Sequence, residues 1–117
     1  MKVIKIVTLS WMAIGLAFFL ACTQAPVKKG DIEKGKLLFN DVNFGSGTSG
    51  DSCNTCHTDG EGLEEAGGKK EFAIMGKKQN SLEEAVNVCI EMPLKGKAID
   101  PKSEDMVNIV AYIRSLK

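Results

Sequence analysis

The sequence has little of the chemistry from which catalytic sites and nucleic-acid surfaces are usually built. Its only histidine is His57, and its 15 lysine and arginine residues are balanced by 15 acidic residues. Nucleic-acid binding is not expected, because it requires an excess of basic residues on one face. No segment alternates apolar and polar residues over the length of a strand, which argues against a β-rich fold. At 117 residues the chain has room for one small domain.

The chain also lacks an apolar run long enough to span a membrane comfortably. Its one extended run, Ile6 to Leu20, follows Lys2 and Lys5, and this arrangement is typical of an export signal. The run ends in Phe-Phe-Leu-Ala-Cys, which resembles the lipobox of bacterial lipoproteins and implies lipid on Cys22. An ordinary signal peptide cleaved nearby is the alternative. We therefore expect a lipoprotein signal over residues 1–21, export to the periplasm or outer cell surface, and membrane attachment through a lipid anchor.

The rest of the chain divides into a tether and one domain. Residues 22–30 are polar, contain a proline and show no periodicity, so they predict a tether. Loss of the signal removes two lysines and leaves two more acidic than basic residues in the mature protein. Few aromatic residues remain for the core of residues 31–117, so we expect a large apolar cofactor to complete it.

Three segments of this domain predict helices, and none predicts a strand. The first is residues 31–40, whose first residue is a capping aspartate. The second opens with the capping box Ser81-Leu-Glu-Glu84 and ends at Met92-Pro93. The third starts at Asp100-Pro101 and carries one apolar stripe. Residues 58–80 predict an irregular segment over the core. The expected fold class is all-α.

Cys53-Asn-Thr-Cys56-His57 is the most informative motif. Two thiols at this spacing can form thioether bonds to the two vinyl groups of a haem, and the adjacent imidazole can bind its iron. A zinc site would need further ligands, and the chain has no second histidine. A thioredoxin-like dithiol would need a βαβ setting, which the pattern does not provide. The motif predicts one covalent haem c on Cys53 and Cys56, with His57 as an iron ligand.

Residues 31–117 resemble the class I cytochrome c family. Gly35 and Phe39 are four residues apart on one helix face, and Ala111-Tyr112 offers the facing pair in the last helix. The resemblance implies a small cytochrome c fold in which the N- and C-terminal helices cross over the haem. It also implies that a methionine followed by proline supplies the second axial ligand, which here is Met92-Pro93.

The segment from Ser81 onward has a second resemblance, to thiosulfate dehydrogenases and related sulfur-oxidation cytochromes. In that family a cysteine thiolate binds the iron of the active haem, which implies Cys89 as the ligand here. The basic residues that follow the cysteine in that family are missing, because Ile-Glu-Met-Pro stands in their place. Cys89 and Met92 are thus alternative ligands, and a plain core role for Cys89 is the third possibility. The positions that match the family's order are Asn87, Cys89, Gly96, Lys97, Ser103 and Met106.

The two resemblances imply two classes of function. The first is an electron carrier that exchanges one electron with redox partner proteins through an exposed haem edge. The second is a haem enzyme or enzyme subunit that acts on a sulfur compound such as thiosulfate. A single haem and the missing basic residues favour the electron carrier. Its candidate docking charges are Lys69, Lys70, Lys77, Lys78, Glu64 and Glu65.

Overall fold

The computed structural model describes residues 28–117. The predicted signal (residues 1–21), Cys22 and the first part of the tether lie outside these residues. The described chain has helices α1 (Ile32–Asn40), α2 (Cys53–Cys56), α3 (Leu82–Glu91) and α4 (Glu104–Ser115), and strands β1 (Phe72–Ile74) and β2 (Lys77–Gln79). Short 3₁₀ turns lie at Phe44–Ser46, Thr58–Gly60 and Ala66–Gly68. None of the helices in this part of the chain has the length and apolar character needed to cross a membrane.

The predicted all-α cytochrome c fold is wrong, because β1 and β2 form a two-stranded antiparallel sheet. Met75 and Gly76 connect the strands with φ values of 51° and 75°, and a tight two-residue hairpin turn of type I′ requires positive φ at both positions. Phe72 and Ile74 are half-buried, whereas Ala73 between them is exposed. About 49% of the described residues are helical. The domain is therefore mostly helical with a small sheet.

Local capping sets where the longer helices begin. Asp31 and Ser81 cap α1 and α3 by accepting hydrogen bonds from amides of the first turn. The predicted start of α4 at Asp100-Pro101 is wrong, since the helix begins at Glu104. Its cap is the hydroxyl of Ser103, and the Asp100 carboxylate accepts a hydrogen bond within the preceding turn instead.

Helix α1 packs directly against α4, and Gly35 lies at their closest approach. A Cβ atom on Gly35 would stand 2.1 Å from the backbone oxygen of Asn108 and 2.7 Å from Cβ of Tyr112. One turn further along α1, the ring of Phe39 meets that of Tyr112 edge-on, with 5.1 Å between centroids and 60° between planes. The side chain of Asn108 also accepts a hydrogen bond from the Asp31 amide at 2.8 Å. This contact holds the two ends of the domain together.

Gly35→Ala is expected to destabilise the domain by about 1–2 kcal/mol. Overpacking a tight contact costs about 1–3 kcal/mol, and the roughly 1 kcal/mol that alanine adds in helix propensity offsets part of this cost. Urea unfolding followed by circular dichroism measures the difference. Gly68→Ala is the matched control, because a Cβ atom there meets no atom within 4 Å. Equal unfolding midpoints for the two variants would contradict the close approach.

Candidate functional site

An apolar cleft lies between α2, α3, α4 and the hairpin. Its cavity volume is about 110 Å³. Of the described residues, no lysine, arginine, aspartate or glutamate lines it. Such a lining suits an apolar ligand and offers no charged group to pair with a free anion. Its walls include Phe39, Phe72, Leu82, Val86, Ile109 and Ile113.

The Cys-x-x-Cys-His motif forms one wall of this cleft. Cys53, Cys56 and His57 all line it. The two cysteines are the first and last residues of α2, a single helical turn that brings both to one side because they are three residues apart. Ser52 is 6% exposed and starts the turn, since its amide donates to the Thr55 hydroxyl at 3.0 Å. No helix was predicted over the motif from the sequence, so the short helix was missed.

The ring of His57 is oriented by the loop that follows it. Its Nδ1 lies 3.1 Å from the backbone oxygen of Glu61. Because a carbonyl oxygen only accepts hydrogen bonds, Nδ1 carries the proton and Nε2 keeps its lone pair in the neutral ring. Asp59 and Gly62 have positive φ values of 51° and 80°. These two residues turn the loop so that the Glu61 oxygen faces the ring. A backbone carbonyl that fixes the tautomer in this way is typical of a metal-binding histidine.

Cys89 lines the same cleft from α3, whereas Met92 does not. Met92 follows the last residue of α3, and 48% of it is exposed. The other two methionines of residues 28–117 are also outside the cleft lining: Met75 is 58% exposed at the hairpin turn, and Met106 is fully buried in the core. The structure therefore brings Cys89 together with Cys53, Cys56 and His57, and leaves the methionines out.

The environment of the two partly buried thiols, Cys53 and Cys89, favours their protonated form. Burial raises the pKa of the Cys53 thiol to about 12, and charge on Cys89 and Cys56 acts in the same direction. Burial, and then charge on Cys56, also raise the pKa of Cys89. A reactive dithiol needs the opposite, a lowered pKa at its attacking thiol. A metal cation in the cleft would reverse this effect, because it favours the thiolate.

Two lining residues come from the segment that was predicted to be irregular, and the hairpin that positions them was missed. Phe72 and Ile74 reach the cleft because the hairpin turns one face of β1 inward. The four predicted docking lysines are exposed on the hairpin or just before it, and Lys78 forms an ion pair with Glu71 at 2.7 Å. Glu64 and Glu65 are exposed as well, beside Leu63 in the cleft wall. Charges of both signs thus border the cleft without entering it.

Comparison with protein-family models, curated proteins and solved structures finds no match to the chain. Within residues 28–117, no group of three or more histidine, cysteine, aspartate and glutamate side chains is arranged to hold a bare metal ion. The assignment of a function rests on the cleft and on the residues that line it.

Proposed function

We propose that the protein is an electron carrier that holds one covalent haem c in the apolar cleft. The observation that carries the proposal is the position of Cys53, Cys56 and His57 on one wall of a cleft without charged lining residues. Two thiols and an imidazole are the donors that a haem c requires, and apolar walls match its macrocycle. When bound, the haem supplies a one-electron ferric/ferrous couple.

The protein's own residues bind, orient and shield the cofactor. Cys53 and Cys56 attach it through thioether bonds, and the Glu61 carbonyl leaves Nε2 of His57 free for the iron. The apolar walls exclude water from the cleft. Cys56 is exposed at the surface, so redox partner proteins can approach the wall of the cleft that carries the motif. Weak, brief contacts suit such partners, and the mixed charges around the cleft provide them.

Cys89 would be the second residue, after His57, to bind the iron of the haem. Cys89 lines the cleft from α3, a different helix from that of the motif, while Met92 is outside the lining and half exposed. Ligation requires the Cys89 thiol to lose its proton, which its burial opposes. The positive charge of iron compensates for this cost, as it does for other coordinating thiols.

A direct test is a redox titration of the protein produced in a host that matures c-type cytochromes. We expect one haem per chain, retained after denaturation and acid–acetone extraction, and a reversible one-electron transition in spectroelectrochemistry. The reduced protein should pass its electron to a second redox protein without a diffusible substrate. A chain with the mass of the bare polypeptide would contradict the proposal.

The rival function, turnover of a sulfur compound, gains no support from the cleft. Thiosulfate is an anion, and among the described residues the cleft lining contains no lysine or arginine to bind it. The residue after Cys89 is Ile90, which is fully buried. We therefore expect no steady-state turnover of thiosulfate or tetrathionate above the rate without protein. Saturable turnover at the level of an enzyme would overturn this assignment in favour of a catalytic haem.

Lipid attachment at Cys22 is a further part of the proposal and rests on the sequence, since Cys22 lies outside the described residues. Stable anchoring needs two or more acyl chains, because one chain alone binds a membrane only marginally. We expect the mature protein in the membrane fraction and Cys22→Ser in the soluble fraction. Recovery of the unaltered protein in the soluble fraction would contradict the lipobox prediction.

A further inference from the structure

Asn87 joins helix α3 to the segment that follows it. Its Nδ2 donates a hydrogen bond to the backbone oxygen of Ile99 at 3.0 Å, and its Oδ1 accepts one from the Ile99 amide at 2.9 Å. The side-chain amide thus pairs with both backbone groups of one residue, as a neighbouring strand would. Two bonds in a fixed geometry hold residue 99 in both position and orientation.

The near end of the same segment is folded back onto α3. The amide of Leu94 donates to the Cys89 oxygen at 3.2 Å, and that of Gly96 donates to the Ile90 oxygen at 2.8 Å. Leu94 is 2% exposed and lines the cleft together with Pro93. In this arrangement Met92 lies outside the cleft lining and is half exposed. The Asn87–Ile99 pair closes the far end. Between the two ends, the Leu94 oxygen accepts hydrogen bonds from the Thr48 and Ser49 amides at 2.9 and 3.2 Å, and the Lys97 amide donates to the Gly45 oxygen at 2.7 Å. Residues 92–99 are therefore held at both ends and in the middle.

The two alternative sulfur ligands lie close together along the chain. Met92 follows Cys89 by three residues, a rise of about 4.5 Å in a helix, and residues three apart are neighbours on a helix surface. Exchange of one sulfur for the other would require residues 92–99 to move relative to α3.

We propose that Asn87 is a positioning residue that selects the sulfur donor. By binding Ile99 it holds residues 92–99 so that Cys89 lines the cleft and Met92 stays outside. The inference rests on the proposed haem site with Cys89 as the ligand. It assigns Asn87 a role in ligand choice beyond its contribution to stability.

The test compares the haem-loaded full chain with Asn87→Ala and Asn87→Asp. In the unaltered protein we expect a thiolate spectrum in the oxidised state, and mild peroxide should oxidise Met92 and Met75 at similar rates, because both are exposed. Asn87→Ala should lose thiolate intensity, gain the near-infrared band of methionine ligation and raise the reduction potential. Met92 should then be oxidised several-fold more slowly than Met75, because its sulfur is bound. Asn87→Asp should show a smaller change, since it keeps the acceptor for the Ile99 amide.

Two further variants separate ligand choice from stability. Asn40→Ala is the matched control, because the Asn40 side chain makes a single bond to the Lys36 oxygen within α1, and it should behave as the unaltered protein. Asn87→Ala combined with Met92→Leu should show no methionine band. If Asn87→Ala fails to fold, Asn87→Asp provides the same readouts.

The outcomes distinguish this inference from the function on which it rests. Asn87 variants that lower the unfolding temperature but keep the thiolate spectrum and equal oxidation of Met92 and Met75 would overturn the role in ligand choice. If peroxide already oxidises Met92 several-fold more slowly than Met75 in the unaltered protein, the assignment of Cys89 as the iron ligand would be overturned. A chain without covalent haem would overturn the proposed function before any Asn87 variant is made.

Discussion

Alanine at both Cys53 and Cys56 is expected to give a chain with no covalently bound haem. The thioether bonds have no other origin, because Cys89 lies on a different helix and His57 forms no bond to a vinyl group. The effect should be complete: the mass of the denatured protein should equal that of the bare polypeptide, and the extracted polypeptide should show no haem absorbance. The cleft would then lose the apolar group that we propose it holds, so the unfolding midpoint should also fall.

The matched control is Cys89→Ala, which removes a third thiol from the same cleft. Its haem should stay covalently attached through Cys53 and Cys56, with only the axial ligation changed. Single alanine variants at either motif cysteine should keep one thioether bond or none. Full haem retention in the double variant would mean that the motif does not attach the cofactor, and the proposed function would then fail.

The parts of the fold that depend on neighbouring residues could be predicted from the sequence. Asp31 and Ser81 cap helices within their own first turns, so the starts of α1 and α3 follow from local chemistry. The Cys-x-x-Cys-His motif could also be recognised from the sequence, because its two thiols and its imidazole lie within five consecutive residues. The contact of Gly35 with α4 could be predicted as well. A glycine and an aromatic residue four apart share one helix face, and the glycine lets a second helix approach that face closely.

The hairpin could not be predicted in this way. Each strand has three residues, too few to show alternation, and the turn carries Met75 at a position with φ of 51° where asparagine, aspartate or glycine would have been the usual signal. What stabilises it is tertiary contact, because Phe72 packs against the core.

The start of α4 was missed for a related reason. Asp100 and Ser103 are both good caps, and the turn between them decides which one is used.

The choice between Cys89 and Met92 also lies beyond the sequence, since both follow from a resemblance to a known family. What separates them is the path of residues 92–99. That path depends on hydrogen bonds to Cys89, Ile90 and Asn87 and to residues 45–49. No local pattern encodes these contacts. The exposure of Met92 is a property of the folded domain.

Cys89→Ala is expected to raise the reduction potential, whereas Met92→Ala should leave it unchanged. A thiolate brings negative charge to the iron and stabilises the ferric state, so its loss favours the reduced state. We expect a rise of the order of 0.1 V, within the ~0.8 V range over which axial ligands set haem potentials. Spectroelectrochemistry measures the potential, and the oxidised spectrum of Cys89→Ala should change with it.

Met92→Ala is the appropriate comparison because it removes a sulfur atom one helical turn away from Cys89. A half-exposed methionine outside the cleft contributes little to the core, so its removal should alter neither spectrum nor stability by more than a few tenths of a kcal/mol. If Met92→Ala alone changed the spectrum, and the unaltered protein showed the near-infrared band of methionine ligation, the thiolate assignment would be wrong. The cleft would then have to admit residue 92 through a different path of the segment after α3, with the Asn87–Ile99 hydrogen bonds broken or rearranged.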